Sequence, residues 1–154
     1  MTGRSAGADD PLFLRLVGCW RLRAWESVGA DGSVTTPIGA EPEGLLAYTA
    51  DGTMVTNIGR ADRPPISSGD LFAGPADERL AAFGSYIAYA ARVEMDGDTV
   101  VHRVVMSLFP NWVGTAQRRH ARLSADGRTL VLTADPFALN GRVSTQRLTW
   151  ERVG

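Results

Sequence analysis

Few residues in this chain combine chemical potential with an inward position, and His102 and Arg119 lead them. β alternation places both on an otherwise apolar strand face. A neutral imidazole can take a proton, and a guanidinium can hold a carboxylate, an enolate or a carbonyl oxygen. If the hairpin between them closes through Phe109–Trp112, Leu108 faces Val113 and Met106 faces Thr115. Val104 then faces Gln117, and His102 faces Arg119 directly. A neighbouring cation disfavours protonation, which keeps His102 neutral. Three uses stay open for the pair: a structural polar network with Glu26 or Tyr89, recognition of a ligand, or acid–base catalysis.

Other chemistry is excluded by what is missing. All 16 basic side chains are arginine, so no lysine can form a Schiff base or act as a general base. Cys19 is the single cysteine, which rules out an internal disulfide and a cysteine-rich metal site. His102 and His120 are the only histidines, so a three-histidine zinc site is impossible. No metal and no cofactor is expected. There is no Gly-x-Ser-x-Gly elbow and no phosphate-cradling glycine loop. Seventeen acids against 16 bases leave a net charge of −1. No affinity for nucleic acid or membranes is expected from that balance. The Arg118–Arg122 cluster reads as a solvated strand face.

The 154 residues fit one domain, 1–154, with residues 1–10 read as a flexible N-terminus. Asp9, Asp10 and Arg15 interrupt the first apolar stretch, and no run reaches transmembrane length. The expected compartment is the cytoplasm.

The elements that must position the inward groups are strands. Asp31-Gly32, Asp51-Gly52, Asp96-Gly97, Asp126-Gly127 and Asn140-Gly141 each sit between β-rich runs. Such pairs supply the positive φ angles of tight hairpins and argue for an antiparallel meander. Strands are predicted at Cys19–Ser27, Leu45–Thr49, Met54–Ile58, Ile87–Met95, Thr99–Leu108, Val113–Leu123, Thr129–Thr133 and Ser144–Arg152. About eight strands is the number at which a closed barrel just encloses one small ligand. Short helices are predicted at Asp10–Val17 and Pro75–Tyr86, and Gly59–Gly74 reads as a long loop over the barrel mouth.

Strict alternation gives the inward faces. They are Trp20, Leu22, Ala24 and Glu26 in the first strand, and Ile87, Tyr89, Ala91, Val93 and Met95 in the fourth. The fifth contributes Val100, His102, Val104, Met106 and Leu108, and the sixth Val113, Thr115, Gln117, Arg119, Ala121 and Leu123. Tyr48 joins them. The interior is apolar with a polar minority, which is the composition of a ligand cavity.

Gly18-Cys19-Trp20 at the first strand and Trp150-Glu151-Arg152 at the last resemble the lipocalin signature. More specifically, the chain is similar to the bacterial and fungal lipocalin-like domain family. The likeness runs through Trp25-Glu26, Pro37-Ile38-Gly39, Gly44–Thr49, Tyr86–Ala90, Val101-His102 and Ser107–Thr115 to Gln117 and Arg119. It implies an all-β fold, an antiparallel lipocalin-like β-barrel of about eight strands with one short helix. Gly18, Trp20 and Arg152 would form the structural signature, Trp20 plugging the floor and Arg152 stacking on it. The expected function is binding of a small, largely apolar or amphipathic molecule, with Tyr48, Tyr89, Gln117, Glu26 and Met106 as contacts. The alternative is a cofactor-free cyclase or isomerase acting on a polyketide- or terpenoid-like substrate, with His102 and Arg119 as catalytic residues. A third reading is a filled barrel that works through its surface. Oligomeric state is left open.

Overall fold

A computed structural model describes residues 7–154. The expectation of a flexible tail falls largely on residues 1–6, which lie outside the described residues. Residues 7–10 join the fold: Ala8 is buried, and Asp10 caps the first helix.

That helix, α1 (Pro11–Leu16), starts where the sequence predicts. Asp10 Oδ1 accepts from Leu12 N at 2.8 Å and Phe13 N at 3.2 Å, and Pro11 opens the first turn. Its buried face is Phe13 and Leu16, which seal one end of the barrel.

The barrel follows. Its strands are β1 (Gly18–Gly29), β3 (Glu43–Tyr48), β4 (Thr53–Gly59), β5 (Tyr86–Asp96), β6 (Thr99–Ser107), β7 (Ala116–Leu123), β8 (Thr129–Ala134) and β10 (Arg142–Arg152). Each pairs antiparallel with the next, and β1–β10 pairing closes the ring, leaving no long open edge. Two short strands flank it: β2 (Val34–Thr35) on β1 and β9 (Phe137–Leu139) on β10. Neither is anticipated by the sequence reading; each is a brief continuation of a neighbour's ladder. The second α-helix, α2 (Ala76–Gly84), falls within the predicted Pro75–Tyr86, as α1 falls within Asp10–Val17, and a 3-10 turn lies at Pro110–Trp112.

The turn chemistry acts as read. Asn140 (φ 52°) and Gly141 (φ 74°) both take positive φ and join β9 to β10 in a two-residue hairpin. Asp31, Asp51 and Asp126 each accept the backbone N–H two residues on, fixing their turns from the side chain.

Two bulges break strict alternation. In β1, Leu22 pairs with Trp150 but Ala24 with Thr149, so Arg23 is an extra residue. Beyond it the inward set becomes Trp25, Ser27 and Gly29. In β6, Ala91 pairs with Val104 but Ala90 with Met106, so Val105 is extra. Met106 is thereby turned outward and is 69% exposed.

The β6–β7 register also differs from expectation. His102 pairs with Gln117, and Arg119 pairs with Val100. The 3-10 turn lengthens the connection, and Val104 N donates to Thr115 O where a tighter hairpin would place Gln117. The slip is by an even number of residues, so His102 and Arg119 keep their predicted faces.

Candidate functional site

The closed end of the barrel is built by Gly18 and Trp20 from the first strand and Arg152 from the last. The Arg152 guanidinium lies 4.2 Å over the Trp20 ring. It donates to the carbonyls of Val17 and Arg15, and Trp20 Nε1 donates to Leu16 O at 2.9 Å. Together they satisfy carbonyls that the end of α1 would otherwise strand. Gly18, with φ 132°, leaves the room: a Cβ there would meet Arg152 Nη1 at 2.8 Å.

Above this floor is a cavity of ≈ 80 Å³ that opens toward the far end of the barrel. Leu46, Met54, Leu132, Leu148 and the rings of Trp25 and Trp150 make its walls apolar. At the mouth stand Ile58, Ile87, Trp112, Phe137 and Leu139. The long loop after β4 and helix α2 lie at this end, because β4 runs away from the floor and β5 returns toward it. They do not roof the cavity. Arg63 ties the loop to α2 and Tyr86, while Leu71, Phe72 and Leu80 remain exposed.

His102 is 1% exposed and lies between two phenols. Tyr48 Oη is 2.8 Å from its Nε2, and Tyr89 Oη is 2.9 Å from its Nδ1. Burial, with a smaller contribution from the Arg119 charge, lowers its pKa to about 3, so the ring is neutral at ordinary pH. Burial raises the pKa of both phenols; for Tyr89 the adjacent Arg119 guanidinium offsets part of the rise. Arg119 is half-buried and donates to Arg118 O at 2.9 Å and Gln117 Oε1 at 3.3 Å. Among the described residues it forms no ion pair.

Of the expected contacts, the structure brings His102, Arg119 and Tyr89 to the cavity wall. Tyr48 sits one layer deeper, against His102 and edge-on to Phe13 at 5.8 Å. Gln117 touches Arg119 without forming part of the wall. Glu26 is corrected: past the Arg23 bulge it faces outward and pairs with Arg147 at 3.2 Å. Met106 is corrected for the equivalent reason in β6.

A second polar cluster escaped the sequence reading. Gln146 Oε1 accepts from Trp25 Nε1 at 2.7 Å, and Gln146 Nε2 donates to Ser144 Oγ at 2.8 Å and Ser27 Oγ at 3.1 Å. Its signal was the alternation of Ser144, Gln146, Leu148 and Trp150, which gives β10 an inward face as clear as any other. The indole N–H of Trp150, a residue of the cavity wall, is buried and has no acceptor among the described residues.

Among the described residues no group of three or more His, Cys, Asp or Glu could hold a metal ion. No helix among the described residues is long and apolar enough to cross a membrane.

Fold and site define a closed antiparallel barrel with one internal, mainly apolar cavity. The chain belongs to the lipocalin-like domain family, whose pattern it matches over residues 17–153. It is 34% identical over 108 residues to the 4'-hydroxy-3'-methoxypropiophenone carrier protein ppsC of Aspergillus oryzae, a match covering 65% of this chain and 96% of the relative. Among solved structures it is similar to a lipocalin-like protein from Bacteroides uniformis, at 13% identity and TM-score 0.48, covering 90% of this chain and 99% of that one. An uncharacterised protein from Bacteroides eggerthii matches at 13% identity and TM-score 0.42, over 88% and 98% of the two chains.

Proposed function

We propose that this protein is a non-covalent carrier of a small, largely apolar aryl ketone or a similar oxygenated aromatic molecule. The observation that carries the reading is the cavity itself: apolar walls and aromatic rings, with Arg119 and Tyr89 as polar groups on one side. That combination suits a ligand that is mostly hydrocarbon and carries an oxygen at one position. The fungal relative named as a carrier of 4'-hydroxy-3'-methoxypropiophenone supports the same chemistry.

The geometry gives the cyclase or isomerase reading less support. Both ring nitrogens of His102 are already engaged by phenols, and its pKa lowered to about 3 makes it a poor base.

Fluorescence titration tests the proposal, because Trp25, Trp112 and Trp150 all line the cavity. Adding 4'-hydroxy-3'-methoxypropiophenone should change their emission saturably at one ligand per chain, and the ligand should be recovered unchanged. Absence of saturable binding, or conversion of the ketone, overturns the carrier reading.

A further inference from the structure

We propose that Tyr48, His102 and Tyr89 form a hydrogen-bond relay of fixed direction, which makes Tyr89 a donor toward the cavity and selects ligands bearing a carbonyl oxygen. The inference rests on the binding reading above and adds which functional group the site recognises.

The direction follows from counting protons. A neutral imidazole carries one N–H and one lone pair, and each nitrogen of His102 faces a phenol. The chain therefore runs one of two ways. In the first, Tyr48 donates to Nε2, and Nδ1–H donates to the Tyr89 oxygen. In the second both bonds reverse, and the Tyr48 hydroxyl proton must find another acceptor. None is present among the described residues: Tyr48 is 2% exposed, its hydroxyl bonds only to His102, and Phe13 packs against its ring. A stranded buried hydroxyl disfavours that arrangement about 10- to 100-fold.

Tyr89 differs from Tyr48 in that its proton has somewhere to go. It lies in the cavity wall, and its polar neighbour there, Arg119, is a donor that cannot accept. With its oxygen taking the Nδ1–H of His102, the Tyr89 hydroxyl proton is left for the cavity. Arg119 presents guanidinium N–H groups on the same side. Two donors converging without an intrinsic acceptor match a carbonyl oxygen, which accepts through two lone pairs. Trp150, another residue of the same wall, has a buried indole N–H with no acceptor among the described residues. Two further polar wall groups are spent within the fold: the Thr56 hydroxyl donates to Leu45 O, and the Gln146 amide donates to Ser27 and Ser144. Tyr48 is not itself part of the cavity wall and reaches it through His102, so its part is to position the relay.

One arm of the test needs no ligand. Protein carrying 15N-labelled histidine, with His120→Gln used to assign the remaining signals, is read by 15N NMR at neutral pH. The expected result is a protonated Nδ1 and a bare Nε2 at His102. A protonated Nε2, or a mixture of tautomers, overturns the relay and leaves the carrier reading intact.

The other arm compares 4'-hydroxy-3'-methoxypropiophenone with 2-methoxy-4-propylphenol, in which a methylene replaces the carbonyl. The ketone should bind about 10- to 100-fold tighter, because the deoxy analogue leaves buried donors unpaired. The ratio should shrink in Tyr89→Phe, which lacks the hydroxyl donor, and also in Tyr48→Phe, which lacks the donor that keeps Nε2 of His102 bare. Equal binding by wild type overturns carbonyl selection. An unchanged ratio in Tyr48→Phe, with both affinities shifted together, assigns Tyr48 to packing alone and overturns the relay's control. If neither probe binds, carbonyl selection falls together with the aryl-ketone reading, while the tautomer is still decided by the first arm.

Discussion

The space that a side chain at residue 18 would need is occupied by Arg152: a Cβ on Gly18 would stand 2.8 Å from its Nη1. The first and last strands are thus locked by one residue that is absent of side chain and another that stacks on Trp20. Gly18→Ala meets both the crowding and the φ of 132°, and should lower stability by about 1–3 kcal/mol. Urea unfolding followed by tryptophan fluorescence measures it, and an unchanged midpoint would remove the steric account of this glycine.

His102 sets an acid limit on stability. Its folded pKa, about 3, lies below its ordinary 6.5, so under pH 6.5 the unfolded chain binds a proton that the folded chain refuses. Stability contributed by this site is intact above that value and falls as the pH drops toward 3. Between pH 7 and 5 the loss should approach about 2 kcal/mol. His102→Gln, whose side chain does not titrate, should flatten this slope while lowering stability at neutral pH. Unfolding midpoints at pH 7 and 5 for the two proteins decide it: parallel curves would mean that His102 is not the titrating group.

Arg119 forms no ion pair among the described residues and is half-buried, so the fold depends on it little. Arg119→Met should keep the melting temperature within a few degrees and weaken binding of the aryl ketone about 10- to 100-fold, the loss of a charged hydrogen bond. Calorimetric titration alongside a thermal melt measures both. A collapsed melting temperature with binding preserved in the folded fraction would assign Arg119 to structure.

Glu26 and Met106 should be silent in binding. Glu26 belongs to a surface pair with Arg147, and Met106 is 69% exposed on the outer wall. Glu26→Gln and Met106→Ser should each change stability by no more than about 1 kcal/mol and leave ligand affinity at the wild-type value. A drop in affinity for either would place the bulges, and hence the inward faces, elsewhere.

All eight barrel strands lie close to where alternation and Asp-Gly spacing put them, since turn residues and period-two patterning are local properties. Asp10-Pro11 likewise announces α1, because a cap and a first-turn proline act within a few residues. The short strands β2 and β9 lack such signals, being too brief for a pattern and existing only by pairing with β1 and β10.

The candidate site divides along the same line. Tyr89, His102 and Arg119 sit in strand stretches of unbroken alternation, so their inward positions were readable from sequence alone. Trp25 carried a faint signal, for Trp20, Leu22 and Trp25 change parity between the last two. Val104-Val105-Met106 carried none, three apolar residues offering no preferred face.

What the amino-acid sequence determined by itself, then, was the antiparallel barrel and the polar minority on its inner wall. The tertiary structure alone decided which neighbours those groups have. Closing the ring inserts Arg23 and Val105 as bulges, turning Glu26 and Met106 outward. The β6–β7 register sets Gln117 across from His102. Tyr48 and Tyr89 reach the imidazole's two nitrogens only because the closed barrel brings β3 to the paired strands β5 and β6, with the two phenols 54 and 13 residues from His102 in sequence. The physical reason is that hydrophobic pattern specifies a face, whereas a partner depends on register and closure, which are properties of the whole sheet.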